Sequence, residues 1–307
     1  MLSYAFRRIL GAIPIALIAV TACFFILRLA PGGPFDGERA LPPAILRNLQ
    51  AYYNLDRPIW EQYFLYVGGL LQGDFGPSMS YTDFTVGELL AIGIPFTFML
   101  GITAFIVATT VGIIAGMISA VYQNKWPDFV TIFIVMIGLV IPNFLLANLM
   151  QLGFGVYLHW LPTRGYVAGS IPHLIMPIII LSLPQAARVA RLMRGSMIET
   201  LGTNYVRTAR SKGIGERLVL ARHAIKPALL PVVSYLGPGL SYLLTGSLVV
   251  EQVFGLPGIG RYFISAALAR DYGIVLGTTV LYVGIIIVLN LIVDIIYAWL
   301  DPKVRYN

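Results

Sequence analysis

Few residues of this chain can do chemistry, and their placing excludes most of it. The four lysines follow Asn124, Ser211, Ile225 and Pro302, so the Gly-Lys-Ser/Thr of a phosphate-binding P-loop is absent. No Gly-x-Ser-x-Gly nucleophile elbow occurs. His159, His173 and His223 show no metal-ligand spacing, and the first two stand beside Trp160 and Pro172, as interfacial polar residues do. A single cysteine, Cys23, excludes an intrachain disulfide and a cysteine metal cluster. The expectation is a chain with no catalytic residue, no cofactor and no metal site of its own. Two stretches remain. "YVRTARSKGIGERLVLARHAIKP", Tyr205 to Pro227, sets Arg207, Arg210, Lys212, Arg217, Arg222 and Lys226 against one acid, Glu216. "EQVFGLPGIG" follows an apolar run with Glu251, Phe254, Pro257, Gly258 and Gly260.

The elements that must position these stretches are apolar. Of 307 residues, 58% are hydrophobic and 11% charged, against about 25% charged in soluble domains. The apolar residues fall in blocks long enough to cross a bilayer. Six spans are expected, at 9–30, 96–122, 129–158, 171–187, 227–250 and 273–300, in an all-α integral membrane protein. The third is long enough to tilt or bend, with Pro142 as the kink. The run after Arg7 and Arg8 is longer than a signal core and no small-x-small site follows it, so the first span is retained. The +7 net charge does not require nucleic acid, because Lys and Arg gather in cytoplasmic loops. With the N-terminus inside, the inner segments hold Arg7, Arg8, Lys125, Arg188, Arg191, Arg194, Arg207, Arg210, Lys212, Arg217, Arg222, Lys226, Lys303 and Arg305. The outer ones hold only Arg39, Arg47, Arg57, Arg164, Arg261 and Arg270. Both termini are therefore expected in the cytoplasm. The first outer loop, 31–95, carries aromatics (Tyr52, Tyr53, Trp60 and Tyr63) suited to short amphipathic helices, either an interfacial cap or a docking surface.

A proton- or sodium-driven carrier needs ionisable groups at membrane depth. By these spans only Arg28 and Asp294 qualify. Arg28 is near enough to the outer end of its span to snorkel to headgroups. Asp294 is expected to face the bundle or pair with Lys303. This is a pathway without an engine, so the engine belongs to a partner.

In the basic stretch, Arg188, Arg191 and Arg194 share one broad helix face, letting the fourth span leave the membrane as a continuous helix. Thr203 or Asn204 can cap a short helix that Gly213 closes. A second amphipathic helix starts near Glu216, with Leu218, Ala221 and Ile225 on one side and Arg222 and Lys226 on another. A headgroup anchor needs only charge and amphipathicity. Tyr205, the small pair Thr208–Ala209 and the stop at Gly213 suit insertion into a protein groove. For the "EQVFGLPGIG" stretch an external hairpin and a gate-lining loop both remain open, since irregular backbone at membrane depth needs cover.

"YVRTARSKG" resembles the cytoplasmic coupling motif of ATP-binding-cassette importer permeases, in the form used by the peptide branch. Aligned on Gly213, the family's Glu-Ala-Ala falls on Arg207, Thr208 and Ala209, so the leading acid is replaced. "FRRILGAIPIALIAVTACFFILRLAPGGPF", "LLQGDFGPSMSY" and "VVEQVFGLPGIGRYFISAALARDY" are similar to the B-type membrane subunit of oligopeptide and dipeptide permeases. The resemblance implies a type I importer permease with a long extracytoplasmic loop after helix 1. Its parts would be an N-terminal helix (1–30), that loop (31–95), a permease core (96–301, with a coupling segment at 199–226) and a cytoplasmic tail (302–307). It implies coupling through Tyr205, Arg207, Thr208, Ala209, Lys212 and Gly213. It also implies partners: a second, C-type permease, two cytoplasmic ATP-binding subunits that hold ATP and Mg, an extracytoplasmic peptide-binding protein, a peptide substrate and membrane lipid. A nickel or glutathione importer of the same branch and an ion-coupled carrier are the alternatives.

Overall fold

The computed structural model describes residues 2–30, 32–35 and 42–300, with the side chains of 2–9 and 293–300 excepted. The basic residues Arg7, Arg8 and Arg39, the Asp294–Lys303 pairing, Arg305 and the tail 302–307 lie outside the described residues or side chains.

The described chain is helical. Its α-helices are α1 (Leu2–Leu29), α2 (Pro43–Tyr52), α3 (Ile59–Leu71), α4 (Val86–Val121), α5 (Trp126–Val140), α6 (Asn143–Met150) and α7 (Pro172–Leu201). After these come α8 (Asn204–Ser211), α9 (Glu216–Val219), α10 (Ile225–Ala228), α11 (Leu230–Gly246), α12 (Leu248–Phe254), α13 (Ile259–Ala269) and α14 (Tyr272–Leu300). π-Helical turns follow α6 (Gln151–Tyr157) and α9 (Leu220–Ala224). Among the described residues five helical spans, Leu10–Leu29, Val86–Val121, Pro172–Leu201, Leu230–Phe254 and Tyr272–Ile292, are long and apolar enough to cross a membrane. A sixth exists if α5 and the segment after it count as one.

That span breaks at Pro142, where the kink was expected. α5 and the helix Asn143–Tyr157 meet at 106°. The cause is local. Pro142 has no N–H to give, and its ring disfavours helical backbone at the residue before it. Ile141 is accordingly extended, at φ −84° and ψ 123°. Three other spans overrun their expected ends: α4 starts ten residues earlier, α7 runs on to Leu201, and the fifth span runs on to Phe254. α7 carries Arg188, Arg191 and Arg194 as one unbroken helix past residue 187, as the arginine row led us to expect.

The chain forms two compact units, residues 1–97 with 257–307, and residues 98–256. In the first, α1 packs along α14, and the outer segment folds against α1. The Tyr63 ring stacks at 5.7 Å on Phe25 and meets Phe24 edge-on at 5.3 Å. Tyr63 and Thr21 share a 2.7 Å hydrogen bond. Arg28 does not reach for headgroups as expected. Its Nε donates to Gln62 Oε1 at 2.9 Å, and its guanidinium lies 3.5 Å over the Phe24 ring. Short helices α2 and α3 do form in the outer loop, while Trp60 stays exposed.

In the second unit α7 is the centre, packed by α5, α6 and α11. The seam holds small residues, Ala108, Ala115, Ala186, Ala187 and Ala190, all buried, which lets helix backbones approach closely without a hydrophobic drive between them. Asp128 closes one end of this seam. It is 2% exposed and takes a bidentate pair from Arg194, Nε at 2.9 Å and Nη2 at 2.7 Å. Ser119 Oγ and the Asn124 amide donate to it as well.

Candidate functional site

The coupling candidate is built from α8 and its stop. Thr203 stands at the cap position, but its hydroxyl turns back to Thr200 O at 2.6 Å and does not cap α8. α8 buries one narrow side: Val206 and Ala209 pack on Val219, with Leu201 and Ile214 around them. Burying an apolar stripe is what holds so short a helix, which would not persist alone in water. The other side faces out, with Tyr205, Arg207, Thr208 and Lys212 exposed. Of the expected coupling residues, Ala209 alone points inward.

The stop has a Schellman geometry. Gly213 N donates to Arg210 O at 2.9 Å and Ile214 N to Ala209 O at 3.3 Å, and Ile214 packs back on the helix, as that motif requires. Gly213 sits at φ +77°, a conformation that costs other residues about 1 kcal/mol or more. A bidentate ion pair then ties α8 to α9, Arg210 Nη2 to Glu216 Oε1 at 2.6 Å and Nε to Oε2 at 3.0 Å. The Arg210 guanidinium holds the Glu216 carboxyl below its ordinary value.

Beyond Glu216 the regular amphipathic helix expected from the sequence does not form. The π turn at Leu220–Ala224 takes an extra residue and rotates the faces. Val219, Ala224 and Ala228 are buried, while Leu218 and Ala221 are exposed and Ile225 is half-buried.

Within 98–256, Glu251 and Phe254 are fully buried on α12. Ser247 Oγ donates to Glu251 Oε1 at 2.7 Å. The carbonyls at the end of α12 are satisfied by distant donors: Gly165 N reaches Phe254 O at 2.7 Å, and Gln151 Nε2 reaches Val253 O at 3.3 Å. Within the other unit, Gly258 and Gly260 are buried and Pro257 is half-buried. Ile259 N donates to Thr97 Oγ1 at 3.0 Å. A Cβ on Gly93 would stand 2.9 Å from Ile259 N, so α4 can carry only glycine there. In each unit its part of the stretch is largely buried and hydrogen-bonded.

Two charged centres, neither among the expected site residues, stand out. Asp271 is fully buried. Its Oδ2 takes Ser78 Oγ, Met79 N and Ser80 N, each at 2.8 Å, and its Oδ1 takes Ile274 N at 3.1 Å. It anchors the "GPSMSY" stretch to the start of α14. Arg188 is the other. Its Nη1 lies 3.3 Å from Gln185 Oε1 and 3.4 Å from Tyr235 OH, and its guanidinium lies 4.6 Å over the Tyr242 ring. Tyr235 also donates to Gln185 Oε1, and Gln185 Nε2 donates to Gly239 O at 2.7 Å. The regular row of three arginines hides three fates: Arg194 is paired, Arg191 is exposed and Arg188 is turned onto aromatic and amide groups. The only sequence signal was the row itself.

The family model for "Binding-protein-dependent transport system inner membrane component" matches residues 108–306. Over its whole length the chain is 49% identical to the oligopeptide transport system permease protein OppB of Salmonella typhimurium and 48% to that of Escherichia coli K12, each also covered in full. It is 37% identical to the dipeptide transport system permease protein DppB of Bacillus subtilis, over 100% of this chain and 99% of that one. Among solved structures, the inward-facing methionine transporter MetNI superposes with a TM-score of 0.58 at 19% identity, over 70% of this chain and 97% of that one. An amino acid ABC transporter with histidines does so at 0.54 and 17%, over 68% and 92%. These two share the fold of type I importer permeases. The chain belongs to the family of binding-protein-dependent transport system inner membrane components, the permease subunits of ATP-binding-cassette importers.

Proposed function

We propose that this chain is the B-type permease of an importer that moves oligopeptides or dipeptides across the cytoplasmic membrane, both termini inside. A C-type permease completes the pathway. Two cytoplasmic subunits bind ATP and Mg, and an extracytoplasmic binding protein delivers the peptide. The chain brings no cofactor and no catalysis, only a path and a joint.

The observation that carries this reading is α8. A short helix, pinned on one side by Val206 and Ala209, presents Tyr205, Arg207, Thr208 and Lys212 outward. Its C-terminus is locked by Gly213 and by the Arg210–Glu216 pair. Such a knob transmits a push because it cannot yield independently of α7. When the ATPases close, their grooves shift α8, and α7 and α11 tilt with it. In this reading Glu251 and Phe254 in one unit, and Pro257, Gly258 and Gly260 in the other, are gate or pathway residues. The buried, hydrogen-bonded packing of this stretch supports a gate-lining loop over a free hairpin.

The test is uptake of labelled peptide by proteoliposomes holding the whole importer. Inactivating the ATPases should abolish uptake at full membrane potential. Uptake that survives but collapses with an uncoupler would establish an ion-coupled carrier instead. Gly213→Leu sharpens the test. Nothing stands within 4 Å of the site of a Cβ there, so the chain pays only the positive-φ cost of about 1 kcal/mol. The complex should assemble, while peptide-stimulated ATP hydrolysis and uptake are lost. Wild-type uptake by Gly213→Leu would move the joint elsewhere and leave the basic stretch as a headgroup anchor.

A further inference from the structure

Beside the α5–α6 break lies a cavity of about 230 Å³, lined by Ile141, Pro142 and Asn143 from the break, by Arg188, and by Tyr242 and Gly246 from α11. Three of its features point the same way. First, the Arg188 guanidinium is met by neutral groups, the Gln185 and Tyr235 oxygens at 3.3 and 3.4 Å from Nη1 and the Tyr242 ring at 4.6 Å. Among the described residues no carboxylate is in ion-pair range of it. A partly buried cation met only by neutral groups keeps charge for an anion to complete. Second, α6 starts at this cavity. Its N-cap residue is Pro142, whose side chain caps nothing and whose carbonyl takes Leu145 N and Leu146 N, which leaves the first amides of α6 without a side-chain cap. Free first-turn amides carry partial positive charge and attract anions. Third, the helix is broken here, and interrupted span helices whose half-helix N-termini face a cavity are the recurring way to hold an anionic substrate group in a membrane. The Tyr242 ring lies 4.6 Å from the guanidinium carbon and brings no negative charge to it, and a guanidinium suits a two-pronged contact with a carboxylate.

We infer that this cavity receives the C-terminal carboxylate of the peptide in transit, with Arg188 as the contact and the first turn of α6 as the dipole behind it. The inference rests on the peptide reading above. The carboxylate is the one anionic group that linear peptides share whatever their side chains, so a site for it grips cargo without choosing sequence. The cavity is smaller than the roughly 300 Å³ at which whole drug-sized ligands begin to fit. It therefore suits one end of a peptide.

The experiment compares a tripeptide with its C-terminal amide, each loaded to saturation on the binding protein, in proteoliposomes of the complete importer. The readout is the ratio of their uptake rates, which cancels effects on expression and coupling. Wild type should favour the carboxylate form by about tenfold, the scale of one good charge-assisted contact. Arg188→Gln should bring the ratio close to one. Arg188→Lys should restore part of it, and Tyr242→Leu should lower it while the charge remains. A wild-type ratio of one, or a ratio that persists in Arg188→Gln, overturns the inference and leaves a lipid phosphate or no anion in the cavity. Loss of assembly in both the Gln and Lys variants would also overturn it, in favour of a structural role. Wild type moving neither peptide would instead overturn the peptide reading itself.

Discussion

Asp271 in one unit and Arg188 in the other are both charges set in apolar surroundings, and they are held in opposite ways. Asp271 has no exposed surface and takes four short hydrogen bonds, three of them from one stretch of chain. Arg188 has two long hydrogen bonds and a ring contact, all with neutral groups, and opens on a cavity. Burying a charge is tolerated only when its lone pairs or protons are satisfied. Asp271 meets that condition within the chain, so its work is structural. Arg188 meets it in part, so something from outside completes it. Asp128 with Arg194 belongs with Asp271: a bidentate pair with two further donors, complete in itself.

The largest effect that tests this contrast is Asp271→Ala. It strands the buried Ser78 hydroxyl and Ile274 amide, each costing about 1–3 kcal/mol, and the half-buried Met79 amide, while the Ser80 amide keeps Ser78 Oγ at 3.2 Å. We expect loss of the detergent-solubilised fold near 74–86, read as new protease cleavage there, and a large drop in melting temperature. Resistance equal to wild type would show that Asp271 is not the anchor. Next is Arg194→Ala. Breaking a buried pair costs roughly 3–5 kcal/mol, but the Arg194 side chain is 30% exposed. Solvent screening reduces this to about 2 kcal/mol. Arg194→Lys should recover part of it in thermal unfolding. Equal melting of Arg194→Ala and Arg188→Ala would erase the difference between a complete and an incomplete charge.

The smallest effect is at Arg210–Glu216, whose side chains are 42% and 54% exposed. Arg210 lowers the Glu216 carboxyl in the folded chain. Its contribution is therefore present above the unfolded value near 4.3 and lost as pH falls through the lower folded value. Being exposed, it is worth about 0.5 kcal/mol or less. Glu216→Gln should raise hydrogen exchange in Ser211–Gly215 at pH 7 and leave it unchanged at pH 3. An equal rise at both pH values would assign the effect to something other than charge.

Local composition determined much of this protein. Blocks of apolar residues announce spans because only internally bonded helices cross lipid. Tyr205 to Gly213 reads as a short helix with a glycine stop, and Gly213 does adopt the positive φ, because that conformation is a property of one residue. Pro142 announces a break for the same reason. The size of that break, 106°, was not legible, since a proline removes a bond but packing against α7 chooses the angle. Nor were the faces after Glu216, where a π turn shifts the count. Ser78 lies 193 residues from Asp271, and Tyr235 lies 47 from Arg188. No local period encodes such pairs. They arise when helices pack, and only the tertiary structure decided which charge was closed off and which was left open to a ligand.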